Sequence, residues 1–266
     1  MTSKKKRNRL LPSFAFRYAT TMQLDTVTII RVGKVIEECY DDGFLSAPES
    51  INLTGLEFDL VTVLVADDKV GHLIRLDVPY GVIVKDQITG QIHAIIRGTV
   101  DFLETVIDLD FDKVPCPFLP PGCAVHDGFS RVYSTLRTKG GIPAKDALAA
   151  LPGRASVAGH SLGAAIATQL AADCRAGWLL TFGSPRVGDA RFASQVEDCV
   201  ANIVRLQVRG SWDDVDPITE VPPPIFGFAH AGQATVLDPG DIPNDDDPLQ
   251  YHHVPTYLQL INQFPS

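Results

Sequence analysis

Apolar positions recur along this chain in two rhythms. Phe58 to Ala66 (FDLVTVLVA) is rich in β-branched residues and reads as a strand. Asp67-Asp68 and Gly71 then predict a turn. His72 to Val84 and Gln91 to Ile96 supply two more strand-like runs, separated by turn residues from Asp86 to Gly90. Ahead of them, Thr20 to Tyr40 predicts a helix. Beyond Gly128 the rhythm lengthens: apolar side chains at 129, 132, 133 and 136 have helical spacing within Phe129 to Thr138. Ala155-Ser156-Val157-Ala158 reads as a buried strand, and 162–175 as a helix rich in Leu, Ala and Ile. Strands at Trp178 to Phe182, Ile203 to Val208 and Ala234 to Leu237 alternate with helices at Asp189 to Val200 and from Pro255, since proline suits a first helical turn. Residues 222–227 and the acidic stretch 241–248 read as loops. Strands alternating with helices predict an α/β fold: a mostly parallel central sheet with helices on both faces. No internal repeat or linker interrupts the pattern, so 13–266 reads as a single domain behind a basic, disordered tail at 1–12.

Charge and composition narrow the picture. A net charge of −9 argues against nucleic acid as a partner, because neutralising phosphates needs a basic surface. The run Lys4-Lys5-Lys6-Arg7-Asn8-Arg9 is a local exception. It reads as a solvated tail, with a membrane-surface or targeting role as the alternative. No stretch of 18 apolar residues exists, so no transmembrane segment is expected. Leu10 to Arg17 is too short and interrupted for the apolar region of a secretory signal. The expectation is therefore a cytoplasmic or non-classically secreted protein, unless its signal lies outside this sequence. Five cysteines cannot all pair within the chain. Cys116 and Cys123 flank a proline-rich turn, which leaves open a short disulfide loop or free thiols. No Cys/His spacing suggests a zinc site and no glycine-rich loop suggests phosphate binding, so no metal or cofactor is expected.

The chemistry centres on GHSLG at 159–163, between a predicted strand and a predicted helix. Gly-x-Ser-x-Gly in that context is a nucleophile elbow, where the serine takes a strained backbone conformation that exposes its hydroxyl. The plain alternative is a glycine-containing helix start with a serine cap. A serine hydroxyl becomes a nucleophile when a histidine takes its proton, and an acid behind the histidine fixes its tautomer. In α/β-hydrolases the chain order is Ser, then Asp or Glu, then His. The strand at 203–208 is followed by Asp213, Asp214 and Asp216, and only His230, His252 and His253 come later. His160 adjoins the serine, so its side chain leaves the elbow in another direction. One oxyanion donor is expected from the N–H of Leu162, the residue after the nucleophile.

From about residue 90 to 260, ordered motifs resemble the class 3 lipase family, the filamentous-fungal-type triacylglycerol lipases with plant and bacterial relatives. They are IIRGT (95–99), Asp108-Leu109-Asp110-Phe111, His126-Asp127-Gly128-Phe129, GHSLGAA (159–165), TFGSPRVGD (181–189), Asp216-Pro217-Ile218 with Val221-Pro222-Pro223, and Phe228-Ala229-His230-Ala231-Gly232. The resemblance implies an α/β-hydrolase fold and a serine carboxylic-ester hydrolase acting on acylglycerols without cofactor. It implies Asp216 as the acid, although Thr219 stands where many relatives have proline. It implies that His230 is not the base, and points to His252, separated from Tyr257-Leu258 by four residues, with His253 as second choice. It implies Thr99 as the second oxyanion donor. It also implies a lid over 100–108, where Phe102, Leu103, Val106 and Ile107 would share one side of a short amphipathic helix. A fixed helix packed on the core has the same periodicity. A lipid–water interface is the implied setting of the substrate. Phospholipase A1 and feruloyl-type esterases share this chemistry, and a catalytically silent fold used for binding is the rival from another class.

Overall fold

The computed structural model of the chain describes residues 24–70, 73–99, 111–210, 214–240, 242, 247 and 249–263. The basic run at the N-terminus, the predicted lid and Asp213 lie outside them, as does most of the acidic stretch 241–248. Helix α1 spans Thr26–Glu38, its N-terminus capped by the Asp25 carboxylate, which accepts from Thr28 N–H. A short α2 (Asp42–Ser46) follows. Strands β1 (Phe58–Val70) and β2 (Leu73–Asp86) then form a long antiparallel hairpin, and β3 (Ile92–Ile96) pairs antiparallel with β2. Strand β1 therefore runs straight through Asp67 and Asp68, where the sequence predicted a turn. The acids are tolerated because Arg137 pairs with Asp67 at 2.7 Å and Arg75 with Asp68 at 3.2 Å.

After β3 come a small pair, β4 (Lys113–Pro115) with β5 (Ala124–His126), then α3 (Asp127–Thr135), β6 (Arg137–Thr138) and α4 (Ala144–Ala149). Next are β7 (Ser156–His160), α5 (Leu162–Asp173), β8 (Trp178–Phe182), α6 (Ala190–Cys199), β9 (Asn202–Val208), β10 (Ala234–Leu237) and α7 (Val254–Ile261). The main sheet has the order β10-β9-β8-β7-β3-β2-β1-β6. From β10 to β3 every pairing is parallel, and from β3 to β6 every pairing is antiparallel. Strand β3 is the seam: it finishes the local hairpins on one side and pairs with β7, in register Ile96↔Gly159, on the other.

Side chains alternate across the sheet, as the two-residue period of a strand requires. Ala94, Ile96, Val157 and Leu179 pack in one layer with Phe129, Ile166, Leu170 and Phe192 from α3, α5 and α6. Ile95, Ala158, Leu180 and Leu206 pack in the other with Val32, Val35 and Ile36 of α1 and Tyr257 and Leu258 of α7. Helix α5 is buried from Leu162 to Ala172, which explains its lack of a polar stripe. Cys116 and Cys123 face each other across the β4–β5 hairpin as free, buried thiols, with Cys116 N–H donating to Cys123 O at 2.9 Å. No helix among the described residues is long and apolar enough to cross a membrane.

Candidate active site

The turn from β7 into α5 carries Ser161 at φ 61°, ψ −132°. A non-glycine residue with positive φ is costly, and here the surrounding packing holds it. Room for so tight a turn comes from its flanking glycines. A Cβ on Gly159 would lie 2.3 Å from Gly163 O, and one on Gly163 would lie 2.3 Å from Arg97 O. The helix start is thereby pressed onto the end of β3. Among the described residues the Ser161 hydroxyl, buried at the turn, has no hydrogen-bond partner, so it does not act as the helix's serine cap.

Strand β9 delivers Asp216, whose N–H donates to Val208 O at 3.1 Å. Its carboxylate is fully buried and accepts from Ile218 N–H at 2.9 Å, from Tyr257 Oη at 2.5 Å and from His252 Nδ1, which lies 2.9 Å from both oxygens. A carboxylate removed from water needs such donors. Because the carboxylate only accepts, the proton shared with His252 sits on Nδ1. Thr219 supports the same turn: its hydroxyl donates to Asp216 O at 2.8 Å and accepts from Gln207 Nε2 at 2.9 Å. The threonine that departs from the proline of many relatives thus closes the turn with a hydrogen bond. Burial and the neighbouring Asp216 charge push the Tyr257 phenol well above its usual range, which keeps it a donor.

The remaining candidates have other hydrogen-bond partners. Half-exposed His253 pairs with Asp247 at 2.7 Å. Asp214 accepts from Tyr251 Oη at 3.1 Å. His230 Nε2 donates to Thr219 O at 2.9 Å and is held neutral, its pKa lowered to about 3 by burial and by Arg205. Ser161, His252 and Thr99 line one pocket of about 360 Å³, together with Tyr40, His160 and an apolar wall of Leu249, Val254 and Pro255; the exposed Glu37 and His253 also border it. The structure brings Asp216 and His252 together. His252 and Ser161 share one pocket, but the Ser161 hydroxyl is not hydrogen-bonded to the ring. Leu162 is the first residue of α5, where helix N–H groups lack partners within the helix. Thr99 closes the β3 end opposite it. Arg97, buried just before, pins that end by donating to Pro79 O at 2.9 Å and Gly98 O at 2.6 Å. Phe102, Leu103, Val106 and Ile107 fall outside the described residues.

The elbow, the switch in strand order at β3 and the helices on both faces define an α/β-hydrolase. The chain belongs to the class 3 lipase family: residues 93–226 match the family described as "Lipase (class 3)". It is 31% identical over 168 residues to the secreted mono- and diacylglycerol lipase 1 of Fusarium solani, covering 61% of this chain and 49% of that one. It is 31% identical over 153 residues to a lipase of Rhizomucor miehei, covering 53% of this chain and 40% of that one. A phospholipase A1-II 1 of Oryza sativa subsp. indica is 29% identical over 192 residues, covering 61% and 47%. The chain therefore spans about half the length, or less, of these curated relatives. Among solved structures, lipase II from Rhizopus niveus has a TM-score of 0.62 at 20% identity, over 81% of this chain and 82% of that one, a likeness of fold. The comparison corrects one expectation. A cytoplasmic or non-classically exported protein was expected from the N-terminal residues, whereas the Fusarium solani relative is named as secreted; that expectation is withdrawn.

Proposed function

We propose that this chain is a serine carboxylic-ester hydrolase acting on acylglycerols through an acyl-enzyme. One observation carries the reading: Ser161, held at positive φ on an elbow, shares a pocket with a histidine whose Nδ1 is fixed by a buried carboxylate. Ser161 Oγ attacks the acyl carbonyl. His252 Nε2 takes its proton and returns it to the leaving alcohol. Asp216 holds the productive tautomer and stabilises the imidazolium. The N–H of Leu162, with Thr99, receives the oxyanion. Water then attacks the acyl-enzyme by the same base. The apolar wall of Leu249, Val254 and Pro255 suits an acyl chain, and the lipase names of the relatives support acylglycerol delivered at a lipid–water interface. The rice relative's name gives a second reading, phospholipase A1.

The test compares wild type with Ser161→Ala on esters of increasing chain length, soluble and emulsified, and on a phospholipid. Ester hydrolysis that vanishes in the folded variant supports the reading. Near-wild-type turnover by Ser161→Ala sinks it. Faster cleavage of the phospholipid than of a matched diacylglycerol moves the substrate to phospholipase A1. Absence of both turnover and fluorophosphonate labelling in the wild type marks a catalytically silent fold.

A further inference from the structure

The mechanism leaves one buried histidine unused. His160, last residue of β7, is only 5% exposed, yet both of its ring nitrogens are engaged. Nε2 lies 2.7 Å from the carbonyl oxygen of His252, and Nδ1 lies 2.8 Å from Tyr40 Oη. A carbonyl can only accept, so Nε2 carries the proton and Nδ1 is bare. Tyr40 therefore donates to His160, and its oxygen is left to accept from Gly98 N–H at 2.7 Å. The donors run in one order: Gly98 N–H to Tyr40, Tyr40 O–H to His160, His160 Nε2–H to the His252 carbonyl. The approach is built into the chain. A Cβ on Gly98 would lie 2.6 Å from Tyr40 Oη and 2.8 Å from Ser161 Cβ, so only glycine admits the phenol here.

This path joins two segments distant in sequence whose relative position decides catalysis. Gly98 precedes Thr99, and the His252 carbonyl belongs to the proposed base. The His160 ring also packs against the His252 ring, with centroids 4.5 Å apart. We propose that Tyr40 and His160 are positioning residues, which together hold the oxyanion loop and the His252 ring in register around Ser161. The proposal rests on the ester-hydrolase reading. It also explains why the inner histidine is neutral: burial, then the neighbouring His252, lower its pKa well below the usual histidine range. A neutral ring against His252 adds no like charge when His252 becomes imidazolium in the transition state.

Tyr40→Phe removes one hydroxyl and keeps the ring. A loss of register approaching 1 Å lowers turnover on the order of 100-fold, so kcat on a soluble short-chain ester is expected to fall about 10- to 100-fold, with KM little changed. His160→Gln retains one donor and one acceptor and should recover most of the activity that His160→Leu loses. Combining Tyr40→Phe with His160→Leu should add little to the worse single variant, because both break one path. A folded Tyr40→Phe with wild-type kcat overturns the proposal. So does a parallel loss of kcat, KM and thermal stability in which His160→Gln fares no better than His160→Leu. Histidine-ring 15N spectra of the wild type and Tyr40→Phe separate this from the wider reading. If the wild type turns over no ester, the hydrolase reading fails, while the spectra still decide the network. It requires an Nε2–H tautomer of His160 at neutral pH and displaced His252 ring signals in Tyr40→Phe. An Nδ1–H tautomer, or unmoved His252 signals, overturns it.

Discussion

Gly183, the middle residue of the TFGSP run at 181–185, offers the sharpest test of how closely the His–Asp pair is packed. It follows β8 with φ +58°, and an added Cβ would lie 2.5 Å from Asp216 Oδ2 and 2.9 Å from His252 Nδ1. Ordinary contact begins at 3.4 Å, so Gly183→Ala must drive the carboxylate away by about 1 Å. Neither partner is the free end of a flexible chain: Asp216 is held by three donors and His252 by Asp216 itself. A displacement of about 1 Å at a reacting group costs roughly 100-fold in rate, or about 2.7 kcal/mol of transition-state stabilisation. The left-handed backbone adds about 1 kcal/mol of folding strain. Gly55→Ala is the control, because Gly55 has φ +72° with nothing within 4 Å of the added carbon. Steady-state hydrolysis of a soluble ester, with thermal melting of both variants, checks the argument. Gly183→Ala should lose roughly 100-fold in kcat. Gly55→Ala should lose only stability, melting about 2–4 °C lower. Activity of Gly183→Ala within about threefold of wild type, or an equal loss in Gly55→Ala, would refute the reasoning.

Further expectations follow from the same geometry. Asp216→Asn and His252→Gln should each remove activity by several orders of magnitude, whereas His230→Gln, His253→Gln and Asp214→Asn should stay close to wild type in the same ester assay. Thr219→Val takes from the Gln207 amide the nearer of its two acceptors, leaving Glu220 Oε1 at 3.4 Å, and removes the hydroxyl's bond to Asp216 O; a loss of about 1–3 kcal/mol in urea unfolding is expected, with kcat reduced more than KM is raised. His93 and His230 are kept neutral by burial, with pKa values lowered to about 4 and about 3 from an ordinary 6.5. The unfolded chain takes up these protons below pH 6.5 and the native one does not. Stability should therefore fall as pH drops from about 6.5 towards 4, at up to about 1.4 kcal/mol per pH unit for each histidine. Urea midpoints across that window should flatten in a His93→Gln, His230→Gln double variant, and an unchanged slope would count against the assignment.

The centre of the parallel half was legible because β3, β7, β8 and α5 are almost wholly buried and so read as largely apolar runs. The antiparallel half was less so. Asp67 and Asp68 looked like a turn because their arginine partners, Arg137 and Arg75, are far apart in sequence and meet only in the folded hairpin. β4, β5 and α4 are too short to show a period. At the site, the elbow pointed to Ser161, but nothing local separates His252 from His253; only the motif spacing of relatives favoured His252. The donors around Asp216 were hidden for the same physical reason as the ion pairs. Tyr257 was read only as a spacing marker, and its hydroxyl finds the carboxylate only when α7 packs beside β9. His160 was set aside because its side chain was read as leaving the elbow in another direction, and nothing in the sequence pointed to its partner Tyr40.

The seam at β3 governs the order in which this protein can be made. The β1–β2–β3 hairpins close on residues near in sequence and can form as soon as they leave the ribosome. Their last strand, Ile92–Ile96, apolar except for His93, then presents a bare edge until β7 arrives some sixty residues later. At typical synthesis speeds that is a wait of several seconds. During it the nascent chain carries an adhesive strand, and any truncation between Ile96 and Ser156 makes that exposure permanent. Such fragments should collect as aggregates, and soluble yield in a cell should respond to whatever shields this edge during synthesis. Because Thr99 and Ser161 meet across the same late pairing, the first appearance of active-site labelling in a refolding time course dates the closing of the seam.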